Sequence, residues 1–306
     1  MAYRKKYVKR RASRRVPMRS RRSFGKRRSY STKKRGMSRK AILNVTSRKK
    51  RDTMPPIVKI GSGTAATGAA ELFGNGIASA YGVFCIPWVA TTRGFAVGAG
   101  VPSNINDDAS RTSSICYMKG LSETIRMETT TGVPWVWRRI CFNFKGSDIA
   151  SGGAVLEPMW FQSILGWCRY MLILGTSAST ANQNLLYDRL VQHMFRGTYG
   201  TDYLDIMSAQ TDTRKIDIKS DKFRKVFSGN DEGSMRIMKL YHGMNKNLYY
   251  EDTEKGDIKN NGLNSVEGKP GMGDYYVVDF FRPLAGATED DKLIYQPQST
   301  LYWHER

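Results

Sequence analysis

The sequence predicts an all-β body, an eight-stranded jelly-roll sandwich with long loops and one short helix, behind a disordered basic arm. Three observations lead there. Eight apolar or alternating runs of strand length occur after residue 77, separated by Gly-, Asn- and Asp-rich connections. A single segment shows helical spacing of its apolar residues. Of the 34 aromatic residues, all but Tyr3, Tyr7, Phe24 and Tyr30 lie beyond residue 51, where strand faces accommodate them.

The arm is defined by charge. Met1 to Arg51 hold 23 Lys and Arg and no Asp or Glu, whereas Asp52 to Arg306 hold 26 basic against 27 acidic residues. Residues 1–51 are therefore assigned to the arm, 52–76 to a lead-in rich in Pro, Gly and Ala, and 77–306 to the sandwich. Like charges and scarce apolar surface keep such an arm from folding alone. Around Ala41 to Val45 the apolar content rises, which is expected to dock the arm onto the body.

In chain order, Tyr81 to Val89 is an apolar run with Pro87 near its end, placed at an edge or terminus. Ile115 to Thr130 alternates, with Ile115, Tyr117, Leu121, Ile125 and Met127 on one parity and a bulge expected at Gly120. Trp135 to Phe144 carries bulky residues on both faces, so it belongs to the middle of a doubly covered sheet. Its second face is available for another subunit. The remaining strands are Arg169 to Leu174, Lys215 to Lys219, Met235 to Tyr241, Tyr275 to Phe281 and Leu293 to His304. The helix is Leu185 to Phe195, with Asn184 as N-cap and Leu186, Leu190 and Met194 as its apolar stripe.

The arm's chemistry is that of a phosphate ligand. Its binding residues are Arg4, Lys5, Lys6, Lys9, Arg10, Arg11, Arg14, Arg15, Arg19, Arg21, Arg22, Lys26, Arg27, Arg28, Lys33, Lys34, Arg35, Arg39 and Lys40. Such contacts are sequence-independent and weaken with salt, and the arm's four rings offer stacking to unpaired bases. The clusters Lys33-Lys34-Arg35 and Arg48-Lys49-Lys50-Arg51 have the form of nuclear-import signals. A body without surplus positive charge favours charge-neutralising packaging over sequence reading.

Other chemistries find little support. Cys85, Cys116, Cys141 and Cys168 form no CxxC pair and are expected to be buried thiols; no metal set, cofactor or catalytic residue is nominated. Gly262 to Lys269 resembles a phosphate-binding loop but has five residues between its glycines and Pro270 where Ser or Thr should follow. Asp252, Glu254 and Asp257 lack EF-hand spacing and are expected in an acidic surface loop or a weak divalent site. His193, His242 and His304 stand beside no nucleophile in sequence. No secretory signal or membrane span is expected, and the sequon at Asn44 is taken as accidental.

Read in order, six segments resemble a known family: Ala41 to Met54 (AILNVTSRKKRDTM), Tyr117 to Glu123 (YMKGLSE), Trp137 to Phe142 (WRRICF), Ser228-Gly229-Asn230, Gly273-Asp274, and Leu301 to Glu305 (LYWHE). The series is similar to genomovirus capsid proteins, in particular those of gemycircularviruses. The resemblance implies kinship with geminivirus coat proteins, a jelly-roll subunit, a small nonenveloped virion around circular single-stranded DNA, and passage through the host nucleus. The expected partners are thus a single-stranded DNA genome, further copies of the chain (a T=1 icosahedral shell of about sixty as the simplest closed form) and the import machinery, with no membrane. Trp135, Trp137, Trp160 and Trp167 are candidates for core or for contacts between copies. Two alternatives are a cellular ribosomal or chromatin-like protein with a basic tail, which would not close into particles, and a metal-dependent DNA-processing enzyme.

Overall fold

The computed structural model describes residues 36–95, 103–146, 149, 157–164, 166–259 and 261–306, with the backbone alone for Arg39, Lys40, Lys255 and Ile258. Two units are distinguished, Met1–Ile42 and Leu43–Arg306. Ser38, in the first, opens helix α1, whose residues Arg39–Thr46 fall on both sides of that division, by accepting a hydrogen bond on Oγ from the Ala41 N–H at 3.2 Å. Val45, expected to help dock the arm, is exposed.

The second unit is built on eight long strands among the described residues: β1 (Arg48–Met54), β5 (Phe84–Val89), β6 (Ile115–Thr131), β7 (Trp135–Phe144), β11 (Asp217–Val226), β12 (Glu232–Tyr249), β15 (Asp274–Pro283) and β16 (Lys292–Glu305). One sheet has the order β1-β16-β6-β12 and the other β11-β7-β15-β5, with antiparallel neighbours throughout. Counting only these eight in chain order gives 1-8-3-6 facing 5-4-7-2. That is the strand order of a jelly roll, two Greek keys wound so that the first and last strands lie side by side. The predicted fold class holds.

The eight strands are not the eight expected. Arg169–Ile173 is β10, which pairs in parallel with β2 (Pro56–Ile60) outside the two main sheets. The place left open is taken by β1, whose RKKRDTM sequence straddles the expected boundary at 51/52, with Arg48 to Arg51 on the arm side. The expected lead-in holds β2, β3 (Ala66–Thr67) and β4 (Ala70–Phe73), the last of which pairs with the start of β16. Strand β11 begins at Asp217 and runs to Val226, and β12 extends well beyond Met235–Tyr241 at both ends. Short hairpins β8 (Gln162–Ser163) with β9 (Gly166–Trp167), and β13 (Glu254–Lys255) with β14 (Ile258–Lys259), complete the set.

Strand β7 shows why the body is stable. Trp135, Trp137, Arg139 and Cys141 face the sandwich interior, while Arg138, Ile140 and Phe142 face away from it and are also buried. The covering layer is the chain's own insertion between β7 and β11, not another subunit. It includes α2 (Ala181–Met194), whose Leu186, Leu190 and Met194 join the same core cluster as Ile140, Phe142, Tyr276 and Phe280. Each such side chain contributes about 1.5–3 kcal/mol by leaving water. The helix starts before the expected Asn184. Thr180 is the cap, accepting from Gln183 N–H while Gln183 Oε1 accepts from Thr180 N–H, a reciprocal box that contributes about 1 kcal/mol.

The expected bulge in β6 is present. The register skips Lys119 between Met118 and Gly120 against β16, and the parity changes with it. Ile115 and Tyr117 therefore point outward with Lys119, while Leu121, Ile125 and Met127 point into the core. The single parity expected for these five residues is corrected by that extra residue.

Candidate nucleic-acid interface

The predicted phosphate ligands from Arg4 to Arg35 lie outside the described residues, as does the import-type cluster Lys33-Lys34-Arg35. Arg39 and Lys40 stand in the first turn of α1.

The second import-type cluster is a sheet strand. Arg48 to Met54 pair residue by residue with Glu305 to Ser299 of β16. Lys49 and Arg51 are exposed, but Lys50 points inward and is 4 % exposed. Its ammonium lies 3.2 Å from Glu305 and donates to Ser110 O at 2.8 Å and Thr112 Oγ1 at 3.0 Å. Glu305 also accepts from the Trp303 indole at 2.8 Å. Burial would raise the Glu305 carboxyl, but the Thr112 and Trp303 hydrogen bonds and the Lys50 charge hold it below the usual carboxylate range. In the folded body this cluster is therefore a sheet edge paired with β16 along one side, with Lys50 committed to Glu305 and Arg48, Lys49 and Arg51 exposed.

The exposed residues of β1 open onto the outer face of its sheet. Lys49 lies beside His304 and, across β16, Tyr117; Arg51 lies beside Tyr302 and Gly120. Toward β12 the same face carries Tyr241 opposite Ser122 and Lys239 opposite Thr124. The bulged Lys119 is also exposed and donates to Asn245 Oδ1 at 2.8 Å. The Tyr117 and His304 rings are 5.9 Å apart. Composition did not single out these residues. The signal was the outward parity of basic and aromatic residues, readable only once the register is known.

The interior holds a different ionic group. Arg139 (β7) and Arg169 (β10) each bridge Glu123 (β6) and Asp279 (β15); Arg139 Nε lies 2.6 Å from Asp279, and Arg169 is 3.3 Å from both acids. Tyr295 donates to Asp279 at 2.9 Å, Ser299 to Glu123 at 3.0 Å, and the Trp137 indole to Asp279 at 2.8 Å. His242 links Glu123 Oε2 at 3.1 Å to Tyr275 Oη at 3.0 Å. Two carboxylates beside a histidine resemble acid–base machinery, but both are fully buried and matched by two guanidinium groups. Burial alone would raise Glu123; Arg139, the His242 hydrogen bond and Arg169 outweigh it and hold the carboxyl well below its ordinary value. This group ties both sheets to the insertion.

The remaining sequence candidates are structural. All four cysteines are free and buried, and burial pushes the Cys141 thiol up to about 12. Asp252 is not a surface ligand: it pairs with the buried Arg111, whose guanidinium lies about 4 Å from the Phe95 and Tyr250 rings (4.0 and 3.9 Å). The phosphate-loop look-alike presents carbonyls rather than amides, since Gly268, Lys269 and Pro270 O all accept from Lys145 Nζ at 2.6–3.0 Å. Trp135, Trp137 and Trp167 are buried within the chain, and Trp160 is half-buried against Trp167. Among the described residues no group of three or more His, Cys, Asp or Glu could hold a metal ion, and no helix is long and apolar enough to cross a membrane.

Comparison with known proteins adds little to this geometry. No family profile matches the chain, and no curated protein does. Among solved structures, the VP1 pentamer of Washington University polyomavirus aligns over 88 % of this chain and 97 % of its own at 7 % identity, with a TM-score of 0.13. VP1 of Trichodysplasia spinulosa-associated polyomavirus aligns over 85 % and 92 % at 10 % identity, with a TM-score of 0.11. Scores this low carry no argument, and the fold assignment rests on the strand order alone.

Proposed function

We propose that the chain is a viral capsid protein that packages circular single-stranded DNA in a closed shell of its own copies. The observation that carries this reading is the join between a polycation of 19 basic residues without an acid and the first strand of a jelly roll whose body is otherwise near neutral. The body tiles and the arm neutralises. With about sixty copies the 19 basic residues ahead of β1 supply on the order of 1,100 positive charges, a useful match to the phosphates of a genome of a few thousand nucleotides. The resemblance to genomovirus capsid proteins supports the same assignment, with no catalytic step.

Electron microscopy of the purified chain, with nuclease treatment of the co-purifying nucleic acid, tests the proposal. Uniform closed particles enclosing protected single-stranded DNA are expected. A protein that stays monomeric under all assembly conditions would sink the idea and favour the cellular basic-tail reading.

Nuclear entry follows from the same reading, through Lys33-Lys34-Arg35. In a fluorescent fusion of the full chain, K33A/K34A/R35A should abolish nuclear accumulation, while K49A/R51A leaves it unchanged. The opposite pattern would return the signal to the strand.

A further inference from the structure

The outer face of the β1-β16-β6-β12 sheet has a composition unlike the rest of the body. From Lys49 across to Lys239 its outward positions carry Lys49, Arg51, Lys119 and Lys239 and not one carboxylate. The acids of this face, Glu71 and Glu128, lie at its far end, and Glu128 is already bound to Arg126. Between the cations stand Tyr117, Tyr241 and Tyr302. Tyr241 is 60 % exposed, and its ring rests over Gly120, where a Cβ would lie 2.6 Å from the Tyr241 hydroxyl. Glycine at 120 thus lets the ring settle beside the sheet. Tyr302 borders the same glycine from the other strand. Two strand spacings separate Tyr302 from Tyr241, about 10 Å.

We propose that this face binds a single-stranded polynucleotide, with phosphates on Lys49, Arg51, Lys119 and Lys239 and bases stacked on Tyr302, Tyr241 and Tyr117. The proposal rests on the packaging reading and gives the genome a second, ordered contact beside the arm. Charge complementarity selects a polyanion. The rings, Tyr241 exposed and Tyr117 and Tyr302 half-buried, select unpaired bases, since a duplex keeps its base faces stacked inside. Connectivity argues the same way: Lys49 and Arg51 stand in the strand that follows the polycation in the chain. The Lys49 and Lys119 charges also converge on His304, whose imidazole burial and those two neighbours hold below its ordinary value, leaving a neutral ring against Tyr117.

The test uses the full chain and single-stranded oligonucleotides carrying 5-iodo-deoxyuridine. Irradiation and peptide mapping should place cross-links on peptides containing Tyr302, Tyr241 or Tyr117, in addition to the arm. Y241A/Y302A should weaken single-strand binding by about tenfold per lost stack and leave duplex binding unchanged. K119Q/K239Q should lower the slope of log affinity against log salt by about 1.4, roughly 0.7 for each lost phosphate contact. An arm variant, K26Q/R27Q/R28Q with K33Q/K34Q/R35Q, serves as reference. Cross-links confined to the arm, with both face variants binding normally, overturn the face and leave the packaging reading intact. An arm variant that binds and packages like the unmodified chain overturns the packaging reading itself. Circular dichroism of each variant separates loss of contact from loss of fold.

Discussion

Removing residues 1–36 should leave a folded, assembling body that retains little nucleic acid, whereas removing 1–51 should also destabilise the body. The first truncation takes 17 of the 23 basic residues of the arm and stops before α1 and β1. A polycation of that size governs affinity through counterion release, so binding at about 0.2 M salt is expected to fall roughly a hundredfold or more. The second truncation also deletes the strand residues Arg48 to Arg51 and their pairing with β16. It leaves Glu305 buried without Lys50, and breaking such a pair by removing one partner costs about 3–5 kcal/mol. Retained nucleic acid and the midpoint of chemical unfolding, measured on both truncations, separate the two effects. Equal stability of the two truncated chains would show that β1 is dispensable, and full packaging by either would end the arm's proposed role.

Glu123→Gln is expected to be the most damaging single substitution in the core, at about 3–5 kcal/mol. It preserves shape but leaves Arg139 and Arg169 facing Asp279 as the only carboxylate in the group. The pH dependence has a definite sign. The folded Glu123 carboxyl is held below its unfolded value, so its contribution is fully present above about pH 4.5 and is lost as pH falls from there toward the folded value. The acid limb of the stability curve should therefore be shallower in the variant than in the original chain. Urea unfolding between pH 3 and 7 measures both. A loss below about 1 kcal/mol with an unchanged acid limb would show the charges to be independent of one another. Replacing all four charged residues by apolar ones of similar volume is expected to cost far less than breaking the group.

Much of the fold was legible where a strand is covered on both sides. Strands β7 and β15 are nearly continuous apolar runs, and their bounds came out at or within two residues of those observed. Strand β1 was hidden because its sheet-edge position needs only Lys50, Asp52 and Met54 inward, and two of those are charged. Local charge pattern assigned Arg48 to Arg51 to the arm; pairing with β16, some 250 residues away in the chain, overrides it. Strand β11 was cut short for a similar reason, since Lys219, Lys222 and Lys225 decorate an edge. The ionic core was invisible because Glu123, Arg139, Arg169 and Asp279 come from four strands that only the topology brings together. The arm was evident from composition alone, and the cationic outer face required the bulge at Lys119 and the register around it.

The side-by-side placement of β1 and β16 also sets an order of events during synthesis. Strand β1 emerges from the ribosome some 250 residues ahead of its ladder partner β16. β16 lies between β1 and β6, so β1 stays outside the sheet until Lys292 to Glu305 have been made, while β6 and β12 can already pair. A product that stops short of Lys292 would leave β1 and β6 with open edges and Lys50 without Glu305. Strand β16 thus acts as a seal, and copies that stop before it leave β1 without its ladder.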